Sequence, residues 1–337
     1  MYRFYRSVPA GILAASLLFG TLAVSAEETA YPLTVTDQLG REVTIESEPQ
    51  TLASGYYIST SLLIALGLED QLVGIEAKAD TRPIYSLAAP QLLELPNIGT
   101  AKEFNLEQCA ALDPDLVIVP ARLKDSIPAI EELGLTVLAV SPEDEESLVE
   151  ALNLLGEATN TQEEADALEA YDTQKLDELD EALGDAPTPS VYMAGTGSVL
   201  TTAGSGMYQN SLIENAGGVN TAAEITDAAW TDISYEQLLA WDPEVILIAA
   251  EAEYTVQDVL ADENLAAVAA VENGAVYQIP DAFEAWDSPV PGCVLGSLWT
   301  ASVLHPEQYS AEAFQEDVTE FYETFYDFTP DLSALEQ

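Results

Sequence analysis

Short continuous apolar runs alternate along this chain with segments whose apolar positions recur every three or four residues. The runs Thr51–Ser54, Leu72–Ile75, Leu116–Val119, Thr136–Val140, Ser190–Met193, Val245–Ile248 and Ala275–Ile279 read as strands covered on both faces. Between them, Thr60–Leu68, Ile127–Leu133 and Met207–Asn215 read as helices, each halted at a glycine. Strand and helix in strict alternation predict a parallel α/β architecture. Residues 33–36 and 42–45 instead alternate apolar with polar around Asp37-Gln-Leu-Gly40, the pattern of an N-terminal hairpin. From Ser147 the spacing turns helical: one helix to Gly156, then a long one over Gln162–Leu183 stopped by Gly184, with Thr161 and Glu164 as a candidate capping box. Helices starting near Val294 and Ala311 close the chain.

One pattern of sixteen residues occurs twice, 129 positions apart, at Phe104–Val119 and Ile233–Ile248. Each copy reads as a polar cap (Asn105, Ser234), a short helix, an Asp-Pro break and a buried strand. Gln108 and Gln237 stand where a capping box needs them, and Glu107 and Glu236 fall in the outward-facing first turn. A period this long is foreign to solenoids, whose repeats run about 20–50 residues. The chain therefore divides into two related α/β lobes, residues 27–155 and 187–310, joined by a connecting helix at 156–186 and followed by a helical segment at 311–337.

Composition changes the picture in two ways. Residues 1–26 carry Arg3 and Arg6, an apolar stretch and then Val24-Ser25-Ala26, the layout of a secretory signal peptide cut after Ala26. The apolar stretch falls short of the ~20 residues of a spanning helix, and no lipid-attachment cysteine follows it. The expected product is extracytoplasmic, soluble and monomeric. Acidity is the second feature: 59 Asp and Glu face 9 Lys and Arg, a net charge of −50 that becomes −52 without Arg3 and Arg6. Such a surface repels nucleic acid and anionic membranes, while 48% apolar content excludes disorder. Two cysteines, Cys109 and Cys293, are too few for a disulfide scaffold and are expected as separate buried thiols.

Catalytic constellations are missing. One histidine, His305, cannot supply an imidazole metal cluster, and there is no Cys-x-x-Cys, nucleophile elbow or dinucleotide fingerprint. No metal site, no resident cofactor and no enzyme are expected. Ligands of parallel α/β lobes sit beyond the carboxyl ends of the strands. There the first lobe places Tyr56, Tyr57, Lys78, Arg82 and Arg122, and the second places Trp230, Glu251, Tyr254, Phe283 and Trp286. Of these, Glu251 is left out of the predicted ligand set.

In the order and spacing of several segments the chain resembles the extracytoplasmic binding proteins of ABC importers for iron–siderophore complexes, haem and cobalamin. The likeness spans nearly all of the mature chain. It rests on Ile64–Gly74, Asn105-Leu-Glu107 with Asp113–Ile118, Ser211–Asn220, Trp230–Gln237, Asp242–Leu247 and Asn273–Tyr277. The resemblance implies two Rossmann-like lobes joined by one long helix, with a ligand cleft between them. It also implies that Glu107 and Glu236, one on each lobe, dock onto arginines of a permease dimer. Trp230 matches an aromatic that lines the family's cleft, while Ala101 replaces an aromatic of the cobalamin binders. The ligand expected on this basis is a ferric-siderophore-type metal chelate, with cobalamin or haem as the alternative within the family. A chelatase-like metal enzyme and a free-standing scavenger are the alternatives outside it.

Overall fold

The two copies of the repeat fold alike, residue for residue. A computed structural model describes residues 29–227 and 229–335, so the leader expected at 1–26 lies outside the described residues. The repeat helices Leu106–Leu112 and Tyr235–Trp241 each begin at a side-chain cap, Asn105 accepting from the Gln108 amide at 3.1 Å and Ser234 from the Gln237 amide at 3.2 Å. The reciprocal half of the predicted capping box, a bond from the glutamine side chain, is not formed at either helix. Thr161 likewise makes no side-chain cap. Both helices end on an aspartate in the left-handed region, Asp113 at φ 48° and Asp242 at φ 46°, which a short polar side chain tolerates. The proline that follows prevents the helix from resuming. The next acid has one task in both lobes. Asp115 accepts from the Gln50 and Thr51 amides, and Glu244 from the Ser190 amide, stitching the start of one strand to its parallel neighbour.

The first lobe opens with the antiparallel hairpin β1 (Leu33–Thr36) and β2 (Glu42–Ile45). Its main sheet is wholly parallel and contains β3 (Leu52–Ser54), β4 (Leu72–Gly74), β5 (Leu116–Pro120) and β6 (Thr136–Val140), in the order β4-β3-β5-β6. The second lobe contains β7 (Ser190–Ala194), β8 (Thr201–Thr202), β9 (Val219–Asn220), β10 (Thr231–Asp232), β11 (Val245–Ile248) and β12 (Val276–Gln278). Its parallel pairings run β9-β7-β11-β12, the same order as in the first lobe, with β8 antiparallel to β7 and β10 antiparallel to β8.

The connecting helix Gln162–Leu183 has 22 residues and spans about 33 Å at 1.5 Å per residue. It is anchored near its start and again past its middle. Near its start, Gly156 leaves so little room that a Cβ there would lie 2.9 Å from the Ala165 Cβ. Further along, the buried Lys175 ammonium contacts Asp317 at 2.5 Å and Glu320 at 2.7 Å, both on the C-terminal helix Ala311–Phe325. One apolar core runs through both lobes and this helix, joining Leu52 and Leu116 of the first sheet to Val191 and Leu247 of the second. A continuous core and an ion-locked connector restrict the lobes to small relative movements. Cys109 and Cys293 are free and buried.

Candidate functional site

The carboxyl ends of the strands bring their loops together between the lobes. After β3, Tyr56 and Tyr57 start the helix Tyr57–Ala65, their rings edge to face at 5.2 Å. Arg82 immediately precedes the helix Pro83–Ala88, where Pro83 at the first position fixes the backbone leading out of it. The Arg82 guanidinium lies 4.2 Å over the Tyr57 ring, and its Nη1 meets Glu251 Oε1 at 2.9 Å. Glu251 follows β11, so this ion pair bridges the two lobes. A second cation–aromatic pair stands beside the first: Arg122 lies 5.7 Å from the Tyr56 ring and 3.5 Å from Glu143. Under the bridge is a cavity of about 70 Å³, walled by Tyr57, Ser61 and Arg82 from the first lobe and by Asp281, Phe283 and Glu284 from the second.

The two walls differ in charge. No lysine or arginine occurs beyond Lys175, so the second lobe contributes carboxylates alone. Three carboxylates near the cleft are buried. Glu76 accepts from Thr60 at 2.6 Å and from Tyr85 at 2.7 Å, and burial pushes its pKa up despite those donors. Burial raises Glu284 to about 7, opposed by hydrogen bonds from Tyr322, Tyr326 and the Gly292 amide. Burial raises Asp287 to about 6, opposed chiefly by the Ala250 amide. Between the ordinary carboxylate range and about 7 for Glu284, or about 6 for Asp287, each holds its proton in the fold and releases it in the unfolded chain. Stability therefore falls as pH rises from the ordinary carboxylate range through about 7. Glu284→Gln is expected to flatten this decline, leaving the share of Asp287, and to add roughly 1–2 kcal/mol at pH 8. Urea unfolding across pH 5 to 8 measures it.

Of the residues expected to bind ligand, Tyr57, Arg82 and Phe283 meet at the cavity, with Tyr56 and Arg122 beside it. The others lie elsewhere. Lys78 is exposed, in the left-handed region at φ 69°, and its side chain is not part of the cavity wall. Tyr254 turns back into its own lobe, donating to the Gly195 carbonyl at 2.8 Å. Trp230 is half-buried and packs on Gly195, where a Cβ would lie 3.0 Å from its ring. Trp286 requires correction. It is fully buried, donating to the Tyr322 hydroxyl at 3.0 Å and meeting Phe314 edge to face, so it belongs to the core and not to the cleft. Trp286→Phe is expected to cost about 1–2 kcal/mol in urea unfolding, for the lost indole hydrogen bond and volume, with ligand affinity unchanged. Glu107 and Glu236 are exposed in the first turns of the two repeat helices. Glu76 and Glu284 are not marked in the sequence, where nothing singles out one acid among 59, and Glu251 stands at a strand end but outside the expected ligand set.

The sequence profile of the periplasmic binding protein family matches residues 52–283. The molybdate-binding protein MolA of Haemophilus influenzae is 28% identical over 331 residues, covering 89% of this chain and 93% of its own. Its molybdate-bound structure superposes with a TM-score of 0.78 at 26% identity, over 89% of this chain and 99% of that one. A periplasmic solute binding protein from Veillonella parvula gives a TM-score of 0.79 at 25% identity, over 90% and 95% of the two chains. A cobalamin-binding protein of Halobacterium salinarum is 26% identical over 254 residues, 74% of this chain and 66% of its own.

Proposed function

The chain belongs to the periplasmic binding protein family, the solute-capturing partners of ABC importers rather than enzymes, and from that premise we propose that its solute is a compact metal oxyanion of the molybdate class. The observation that carries this reading is the cavity of about 70 Å³ beneath the guanidinium of Arg82. A tetrahedral oxyanion suits that volume, and its oxygens suit the donors of a planar guanidinium. Larger ligands fill pockets of about 300 Å³ or more. Admitting one would require the lobes to part against their shared core. The acidic wall tolerates an anion best below about pH 7, where Glu284 holds its proton. Similarity to the Haemophilus molybdate-binding protein over most of both chains supports the same class.

The ferric-siderophore reading keeps one observation in its favour. The pairs Tyr56 with Arg122 and Tyr57 with Arg82 make a wide aromatic and cationic rim on the first lobe, on which a larger anionic chelate could lie outside the cavity. In either reading the metal is cargo and no resident cofactor is needed. Delivery would use Glu107 and Glu236, equivalent acids on equivalent helices, as a two-point contact with a basic permease surface.

Isothermal calorimetry on residues 27–337 with molybdate, tungstate, sulfate, ferric siderophores, haem and cobalamin decides between these readings. Saturable binding of molybdate and tungstate is expected, tightening as pH falls from 8 to 6 while Glu284 takes up its proton. Binding of a ferric siderophore alone would transfer the proposal to the rim, and silence across the panel would end both readings.

A further inference from the structure

We propose that Glu251 is a built-in competitor for the solute: a second-lobe carboxylate that holds the guanidinium of Arg82 until an anion displaces it. The inference rests on the anion reading given above. Arg82 has one face against Tyr57 and its Nη1 on Glu251, so the donors that would bind an oxyanion in the cavity are partly engaged by the protein itself. The arginine is the fixed partner. Its backbone leads into a helix started by Pro83, and two residues further on Tyr85 is anchored by its hydroxyl to the buried Glu76. Glu251 is the freer one, its side chain 53% exposed against 27% for Arg82. With no lysine or arginine in the second lobe, the cationic contact in the cavity falls to Arg82, and an anion there has to share its guanidinium with Glu251 or take it.

Selectivity follows from the exchange. A neutral or weakly accepting solute gains nothing that the carboxylate did not already supply, whereas a dianion offers more charge and more acceptors to the same fork. The device would thus reject abundant weak ligands at the cost of some affinity for the right one.

The test has a binding arm and a ligand-free arm. With molybdate as the probe, Glu251→Gln is expected to tighten binding about two- to five-fold, the range of a partly exposed ion pair. Without ligand, spin labels at Lys102→Cys and Gln257→Cys, one on each lobe, should show a broader distance distribution in Glu251→Gln than in the parent. Arg82→Gln should broaden it equally, and adding Glu251→Gln to Arg82→Gln should add nothing. Asp281→Asn removes a cavity-wall acid that has no ion pair with Arg82, and it should leave the distances alone. Weaker molybdate binding in Glu251→Gln would make Glu251 a ligand contact and overturn the proposal. Equal tightening by both acid variants with unchanged lobe distances would also overturn it, reducing Glu251 to a bystander charge. If the lobes loosen but the parent ignores molybdate, the anion reading and the competitor role fall together, and the pair stands as a clasp alone.

Discussion

An Arg82→Ala variant is expected to bind molybdate, the proposed solute, about 100-fold more weakly than the parent, with a fold stability within about 1 kcal/mol of it. The two halves of this result have different causes. Arg82 and Glu251 meet at a partly exposed cleft rim, where an ion pair contributes about 0–1 kcal/mol to folding. Against a bound anion the same guanidinium would supply charge-assisted hydrogen bonds inside a small cavity, and truncating one partner of such a contact costs about 2–5 kcal/mol. Arg82→Lys should fall between the two, losing about tenfold, because an ammonium keeps the charge but neither the fork nor the flat contact with Tyr57. Arg122→Ala should weaken binding only two- to three-fold, since Arg122 is exposed and stands beside the cavity rather than over it. Calorimetry paired with urea unfolding reads both quantities. A full loss in Arg122→Ala with little change in Arg82→Ala would move the site to the Tyr56 rim.

What could be read from the chain was local. The caps Asn105 and Ser234, the Asp-Pro breaks and the apolar runs at Leu116–Val119 and Val245–Ile248 each depend on a few adjacent residues, and all take their expected form. The connecting helix was equally legible, since twenty-two residues of helical spacing end at a glycine. Two-residue strands such as Thr201–Thr202 and Thr231–Asp232 are too short to show a period, so the antiparallel edge of the second sheet went unseen. The site suffered from distance. Trp286 and Tyr57 both follow strand ends, and nothing near Trp286 says that Phe314 and Tyr322 of the C-terminal helix will cover it. Arg82 and Glu251 are 169 residues apart, and only the folded lobes show which of many acids that arginine meets. The chain therefore announced where a ligand edge would lie but not which side chains turn towards it.

Reversing the charges of Glu107 and Glu236, the proposed docking pair, should separate capture from delivery. The double variant Glu107→Arg, Glu236→Arg is expected to lose transport by about 100-fold or more in proteoliposomes holding the cognate permease, while its solute affinity stays that of the parent. The geometry gives the reason. Glu107 and Glu236 occupy the same first-turn position of seven-residue helices with the same caps, left-handed ends and following strands, one on each lobe. A partner dimer with a basic contact on each subunit could engage both at once, and the second contact would then form intramolecularly, multiplying the strength of the first. Reversing one charge should leave a partial coupling, about tenfold below the parent, and reversing both should leave none. If the two acids served only their helix dipoles, each reversal would cost about 0.3–1 kcal/mol of stability and transport would be spared. Normal transport by the folded double variant would end the docking assignment. Loss of transport with unchanged calorimetry would place the two acids on the permease contact and leave the ligand site to Arg82 and its neighbours.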